Sequence, residues 1–297
     1  MTAIESAFER ARVRQPRIAL VGQGDGLIEQ AGELLSARGL GRVTIVGPGG
    51  SDPVSDRRLP AVANVLRERW PERVRDGIHA LDLAANPLLF AAGLTAAGEV
   101  DICLGGTAVP TDALEEAARW LTGKQRATQG RGHMAYVATV DGRLLTVAMP
   151  DSAGPLDARG IAQVAVTAAT HRQRAVGETP WVGFLVAPPS QDASHADAEL
   201  ALAEFRAIAP GIQATVEWDW SSDPADEGRY RSRPNVLIFP DPVAAHLALL
   251  LLREAAGLQA WGPMFPSDRW VLAGVARGQA EDVMTAAALA AAGLAGS

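Results

Sequence analysis

Along this chain, short apolar runs rich in β-branched residues alternate with longer stretches whose apolar positions recur at helical spacing. RIALVG (17–22) predicts a strand and LIEQAGELLSARG the helix after it; VTIVG (43–47) follows as a strand. PAVANVLRERW and PLLFAAGLTAAG come next, then VDICLGG (100–106) and TDALEEAARWLTG. Strands separated by helices need crossover connections, so the pattern predicts a largely parallel sheet. From about residue 131 the pattern changes. HMAYVATV and RLLTVAMP flank Asp141-Gly142, a strong hairpin signal, so an antiparallel edge enters here. The alternation then resumes with helix ARGIAQVAVTAATHRQRAV, strand WVGFLVA (181–187), helix ADAELALAEFRAIAP, and strands QATVEWDW and NVLIFP (235–240). Helix AAHLALLLLREAAG, a short WGPMF run, WVLAGVARG and a final alanine-rich helix close the chain, and SSDPADEGRYRSRP (221–234) reads as a surface loop.

Composition narrows the function classes. The 297 residues suit two domains, and 48% hydrophobic with 21% charged residues is ordinary globular material. A formal net charge of −7 without a Lys/Arg cluster argues against nucleic acid as a partner. Cys103 is the one cysteine, so no internal disulfide forms, and its apolar run VDICLGG predicts a buried structural thiol. MTAIESAFERARVRQPR carries charges of both signs and no apolar core of a signal peptide. VAAHLALLLL, bounded by Arg253, falls short of the roughly 20 residues a membrane helix needs. The expectation is a soluble cytoplasmic protein with no membrane partner.

Three glycine- or proline-rich strand ends are candidate sites. Gly22-Gln23-Gly24-Asp25-Gly26 could cradle a phosphate on its N–H groups, or could simply be a tight strand-to-helix turn. It lacks the full dinucleotide fingerprint, and VTIVGPGG ends without the acidic residue that holds a ribose. Gly105, Gly106, Thr107 and Thr111 combine small residues with two hydroxyls beside a helix start, which suits an anion; equally, Thr111 could only cap that helix, with Glu115 near the capping-box position. Asp241, in FPDP, could orient a substrate or cap the next helix. The five histidines stand too far apart for a metal motif, so no metal is expected. A G-x-S-x-G elbow and a P-loop are both missing. Near the end, VARGQAEDVM places Arg277, Gly278, Glu281 and Asp282 around a helix start, where carboxylates are stabilised by the helix dipole alone.

Taken in order, RIALVGQGD, VTIVG, EVDICLGGTAVPT, NVLIFPD, an AIGP-like AWGPMF, and ARG with ED shortly after resemble the phosphate acetyltransferase and phosphate butyryltransferase family over nearly the whole chain. The resemblance implies an enzyme that moves an acyl group between coenzyme A and phosphate, with no bound cofactor and coenzyme A or acyl-CoA as substrate. It also implies two α/β domains with mainly parallel sheets and an interdomain cleft, isocitrate-dehydrogenase-like: residues 1–127 plus 262–297, and residues 128–261. A homodimer is implied too. In the family an Arg from Ser-Arg-Gly and an Asp shortly after it serve catalysis; by position these are Arg277 as electrostatic stabiliser and Asp282 as base. Gly105, Gly106, Thr107, Thr111 and Asp241 take the phosphate or acyl-phosphate role.

The chain departs from that pattern at definite places. The Ser of Ser-Arg-Gly is Ala276, and one residue is missing between Arg277-Gly278 and Glu281-Asp282, equivalent to about one helical step of 100°. A helix arginine is replaced by Glu116, its histidine neighbour by Val109, the Asn-containing stretch after F-P-D by PVAAHLA, and a Ser-Thr-Lys-Gly loop by APPSQDAS. Arg131, Arg143 or Arg269 are the cations that could compensate. Three readings stand: a phosphate acyltransferase, a catalytically impaired acyl-CoA-binding regulatory or scaffold module, and a nicotinamide-linked oxidoreductase built on Gly22–Gly26.

Overall fold

The computed structural model describes residues 2–22, 24, 26–107, 109–123, 131–186, 193–217, 233–275 and 278–295. The elements run α1 (Ala3–Arg14), β1 (Arg17–Val21), α2 (Leu27–Ala37), β2 (Arg42–Val46), α3 (Leu59–Arg69), α4 (Gly77–Ala84), α5 (Pro87–Ala96), β3 (Ile102–Gly105) and α6 (Thr111–Thr122). Next come β4 (Gly132–Ala138), β5 (Leu144–Pro150), α7 (Ala158–Val176), β6 (Trp181–Leu185), α8 (Ala193–Ile208), β7 (Gln213–Glu217) and β8 (Val236–Ile238). The chain closes with α9 (Pro242–Glu254), β9 (Ala260–Pro266), β10 (Val271–Gly274) and α10 (Ala280–Gly293). Two compact units result: Met1–Ala127 with Arg174–Val176 and Trp261–Ser297, and Thr128–Gln173 with Gly177–Ala260. The fold is α/β with mainly parallel strand pairing, as the alternation predicts.

In the first unit the strand order is β2-β1-β3-β10-β9. β1 pairs in parallel with β2 and β3, and β3 with β10; only β9 runs antiparallel, to β10. Both faces of β1, β3 and β10 are buried, which explains why these strands read as continuous apolar runs. Helix α10 is buried from Val283 to Gly293 on every side. Its alanines allow that close approach, and its C-terminal carbonyls are met by Arg14, which donates to Ala291 (3.2 Å), Leu294 (2.7 Å) and Ala295. Cys103 is fully buried in β3, and burial pushes its thiol up to about 12. No thiolate nucleophile is available there.

The second unit holds the β4–β5 hairpin and the parallel order β5-β8-β6-β7. The hairpin turns at Asp141-Gly142, with Gly142 at φ +80° and its N–H bonded to Thr139 O (3.0 Å). The outer side of β4 is not bare, since Ala138 N–H donates to Gln259 O (2.9 Å). Arg172 is almost fully buried and donates to Thr146 Oγ1 (3.1 Å) and Glu178 Oε2 (2.5 Å), partners that a buried cation requires. Beside it, Tyr136 Oη and His171 Nδ1 share a hydrogen bond of 2.8 Å. The expected loop at 221–234 lies, up to residue 232, outside the described residues. No single helix among the described residues is long and apolar enough to cross a membrane.

Two helices depart from the sequence pattern. α1 buries only Ala7 and Ala11, so it has no large apolar stripe to announce it; its signal is the Thr2/Glu5 capping box. α4 is a short helix capped by Asp76, which accepts from His79 N–H (2.8 Å).

Candidate functional site

Several of the sequence candidates share one edge of the first unit's sheet. Val21 of β1 and Gly274 of β10 both register with Gly105 of β3, and all three strands run the same way. The residues that follow them, Gly22, Gly106 and Val275, therefore leave the sheet at the same end. Ligands of open parallel sheets bind at that end, where loops rather than strands face outward.

Glycine is required on this edge because helices press directly onto it. A Cβ on Gly274 would lie 2.3 Å from Leu114 Cδ1, and one on Gly105 would lie 3.1 Å from Val109. At Gly106 it would meet Ile28 at 2.9 Å, and at Gly22 it would meet Pro48 O at 2.5 Å. The glycines thus bring the start of α6 close over β3 and β10. From Gly106 the chain makes a tight turn, with Val109 N–H donating to Gly106 O (3.0 Å), and enters α6 through Pro110.

Thr111 is not the cap expected from sequence. Pro110 occupies the N-cap and no side chain caps α6, so Thr111 is the first helical residue and Glu115 completes no capping box. With Pro110 at the N-cap, the threonine falls one position inside the helix. What this leaves is a helix start with its positive dipole end beside the half-buried Thr107 and Thr111, an arrangement suited to an anion.

Arg277 and Ala276 lie outside the described residues, as do Gln23 and Asp25 of the first glycine turn. The described part of the terminal motif is well defined. Asp282 is the third residue of α10 and folds back so that its Oδ2 accepts from Gln279 N–H (2.9 Å). Its Oδ1 accepts from the indole N–H of Trp261 (3.2 Å), at the start of β9. Gly278 makes room: it has φ +151°, and a Cβ there would stand 2.5 Å from Asp282 Oδ2. Trp261, only 2% exposed, is a contact that sequence reasoning missed, because 21 residues separate donor and acceptor.

The remaining candidates are tied elsewhere. Asp241, in the second unit, is the N-cap of α9 and accepts from Val243 N–H (2.8 Å), the capping alternative raised by its position. Glu116 pairs with Arg119 (2.9 Å) and Arg73 (2.7 Å), and Arg73 lies over the rings of Trp70 and Trp120. Despite the opposing effect of burial, those cations hold the Glu116 carboxyl below the usual carboxylate range. Of the three compensating cations, Arg143 is bound to Asp141 (2.7 Å), Arg131 sits 3.7 Å from Asp151, and Arg269 is exposed.

Known proteins carry this arrangement of elements. The sequence profile of the phosphate acetyl/butaryl transferase family matches residues 2–291. A phosphate acetyltransferase of Paracoccus denitrificans is 28% identical over 290 residues, covering 89% of this chain and 90% of that protein. Among solved structures, a phosphotransacetylase from Streptococcus pyogenes superposes with a TM-score of 0.78 at 16% identity, covering 97% of this chain and 98% of the other. The EutD phosphotransacetylase from Staphylococcus aureus gives 0.75 at 17%, with the same coverage of 97% and 98%. At these identities the structural likeness speaks to the fold.

Proposed function

The chain belongs to the phosphate acetyl/butaryl transferase family, and from that premise we propose that it transfers an acyl group between coenzyme A and inorganic phosphate. The observation that carries this reading is that β3 and β10, the strands that lead to Gly106–Thr111 and Gly278–Asp282, end side by side at Gly105 and Gly274, and that α6 starts without a side-chain cap.

In this mechanism Asp282 removes the proton from the thiol of coenzyme A. The thiolate attacks the acyl carbon of the acyl phosphate, and the tetrahedral adduct collapses with cleavage of the C–O bond to phosphate. In reverse, a phosphate oxygen attacks the thioester, the C–S bond breaks, and the departing thiolate takes the proton from Asp282. Arg277 supplies a two-pronged cation for the phosphate and the developing oxyanion. Thr107, Thr111 and the start of α6 hold phosphate oxygens over Gly105 and Gly106. No bound cofactor is needed, because coenzyme A enters as substrate.

The proposal includes a cytoplasmic homodimer. Its support is α9, where Leu247, Leu250 and Leu251 are each more than half exposed on one side of a single helix. Each is already partly covered, so burying the remainder is worth about 1–1.5 kcal/mol each.

A second reading has its own observation. Glu116 stands where an arginine belongs by resemblance, and its two arginine partners are bound to it rather than offered to phosphate. In that reading the fold binds CoA esters without turning them over. A panel of acyl-CoAs incubated with phosphate separates the two: phosphate-dependent thiol release, lost in Arg277→Ala, supports the transferase. Stabilisation by CoA esters with no such release supports the binding module.

A further inference from the structure

The Asp282 carboxylate is held from two elements at once. Gln279 N–H, in the loop before α10, donates to Oδ2 at 2.9 Å; Trp261 Nε1–H, on β9, donates to Oδ1 at 3.2 Å. Either bond alone leaves the carboxylate free to turn about its Cβ–Cγ bond. The pair fixes its plane, since any rotation that keeps one lengthens the other. A carboxylate offers about four lone-pair directions, so one donor on each oxygen leaves each with another direction open to an incoming proton.

Burial makes the tryptophan a rigid donor. Trp261 is 2% exposed and stands near the start of β9, three residues before Met264, which pairs with Ala273 of the antiparallel β10. The capping bond from Gln279 alone is local to α10 and would place Asp282 only relative to its own helix. Trp261 refers the carboxylate to the sheet, whose end carries Gly105 and Gly274. We infer that Trp261 is a positioning residue for acyl transfer, using its indole N–H to aim the Asp282 carboxylate at the thiol it deprotonates. The inference rests on the transferase reading for its kinetic consequence, but the contact itself does not.

Trp261→Phe keeps an aromatic ring and removes only the N–H donor and part of the ring system. Loss of a hydrogen bond to a charged group predicts a fall in kcat of about tenfold. The KM values for acyl-CoA and phosphate are expected to stay within about twofold, since ground-state binding is untouched. A purely structural role would lower the active fraction or the melting temperature instead. Independently of turnover, the Trp261 indole N–H resonance, identified by its loss in Trp261→Phe, is expected downfield in the wild type. It should move upfield in Asp282→Asn, where a neutral amide replaces the charged acceptor. An unmoved resonance, or a Trp261→Phe enzyme with full kcat, overturns the inference. If the wild-type protein turns over no acyl-CoA, the transferase reading and with it the catalytic role of Trp261 fall, and the indole resonance then tests the contact alone.

Discussion

Glycine at 278 is what allows Asp282 to fold back onto the start of its own helix. Its positive φ and the 2.5 Å approach of Oδ2 to a would-be Cβ predict that Gly278→Ala destabilises the protein by about 1–2 kcal/mol. Activity should fall further than stability, because the carboxylate must move; thermal melts beside initial rates test this. The position of Asp282 in the first turn of its helix was legible in sequence, because it is a local signal. Sequence could not supply Trp261, whose partner comes from another element, nor foresee that Pro110 would take the cap position in place of Thr111. A second residue-scale prediction concerns His133, which burial, with His246 beside it, pushes down to about 3. It stays neutral in the fold while the unfolded chain takes up a proton below about 6.5. Its contribution to stability is therefore complete above that pH and is lost as pH falls toward 3, at up to about 1.4 kcal/mol per pH unit. Denaturant titrations between pH 7 and 4.5, about the span in which carboxylates stay ionised, should show a shallower slope for His133→Leu than for wild type. Equal slopes would contradict the assignment.

At the scale of elements, what was legible depended on how an element is buried. α7 runs over the stretch its sequence predicts, and the hairpin turns at Asp141-Gly142, because periodicity and turn chemistry are written locally. α1 was illegible as a helix since its buried face is two alanines. The glycines at 105 and 106 read in sequence as small residues suited to an anion and Gly274 gave no signal, whereas the structure shows all three as the floor on which Leu114, Val109 and Ile28 pack. α9 carries the opposite lesson: its apolar run suits either core or an interface, and Leu247, Leu250 and Leu251 are exposed. If they form the proposed dimer face, the double variant Leu247→Glu, Leu251→Glu will elute as a folded monomer in light-scattering chromatography. A dimer that survives both charges would place the interface elsewhere.

For the molecule as a whole, family membership supports a phosphate acyltransferase-like function more firmly than any one side chain does. The proposed site draws on segments far apart in sequence, 105–111 and 278–282, whose preceding strands β3 and β10 pair in parallel register. The departures at Ala276 and Glu116 leave one question for experiment: whether this edge still performs transfer. The most direct measurement is the amount of acyl phosphate formed from acetyl-CoA and from butyryl-CoA in the presence of inorganic phosphate. Wild type is to be compared with Asp282→Asn and Arg277→Ala. Loss of the base predicts a rate lower by about 10²–10⁴-fold, and loss of the cation by about 10²–10³-fold. Acyl phosphate formed at equal rates by all three proteins would contradict the site, and none formed by wild type would contradict the transferase reading itself.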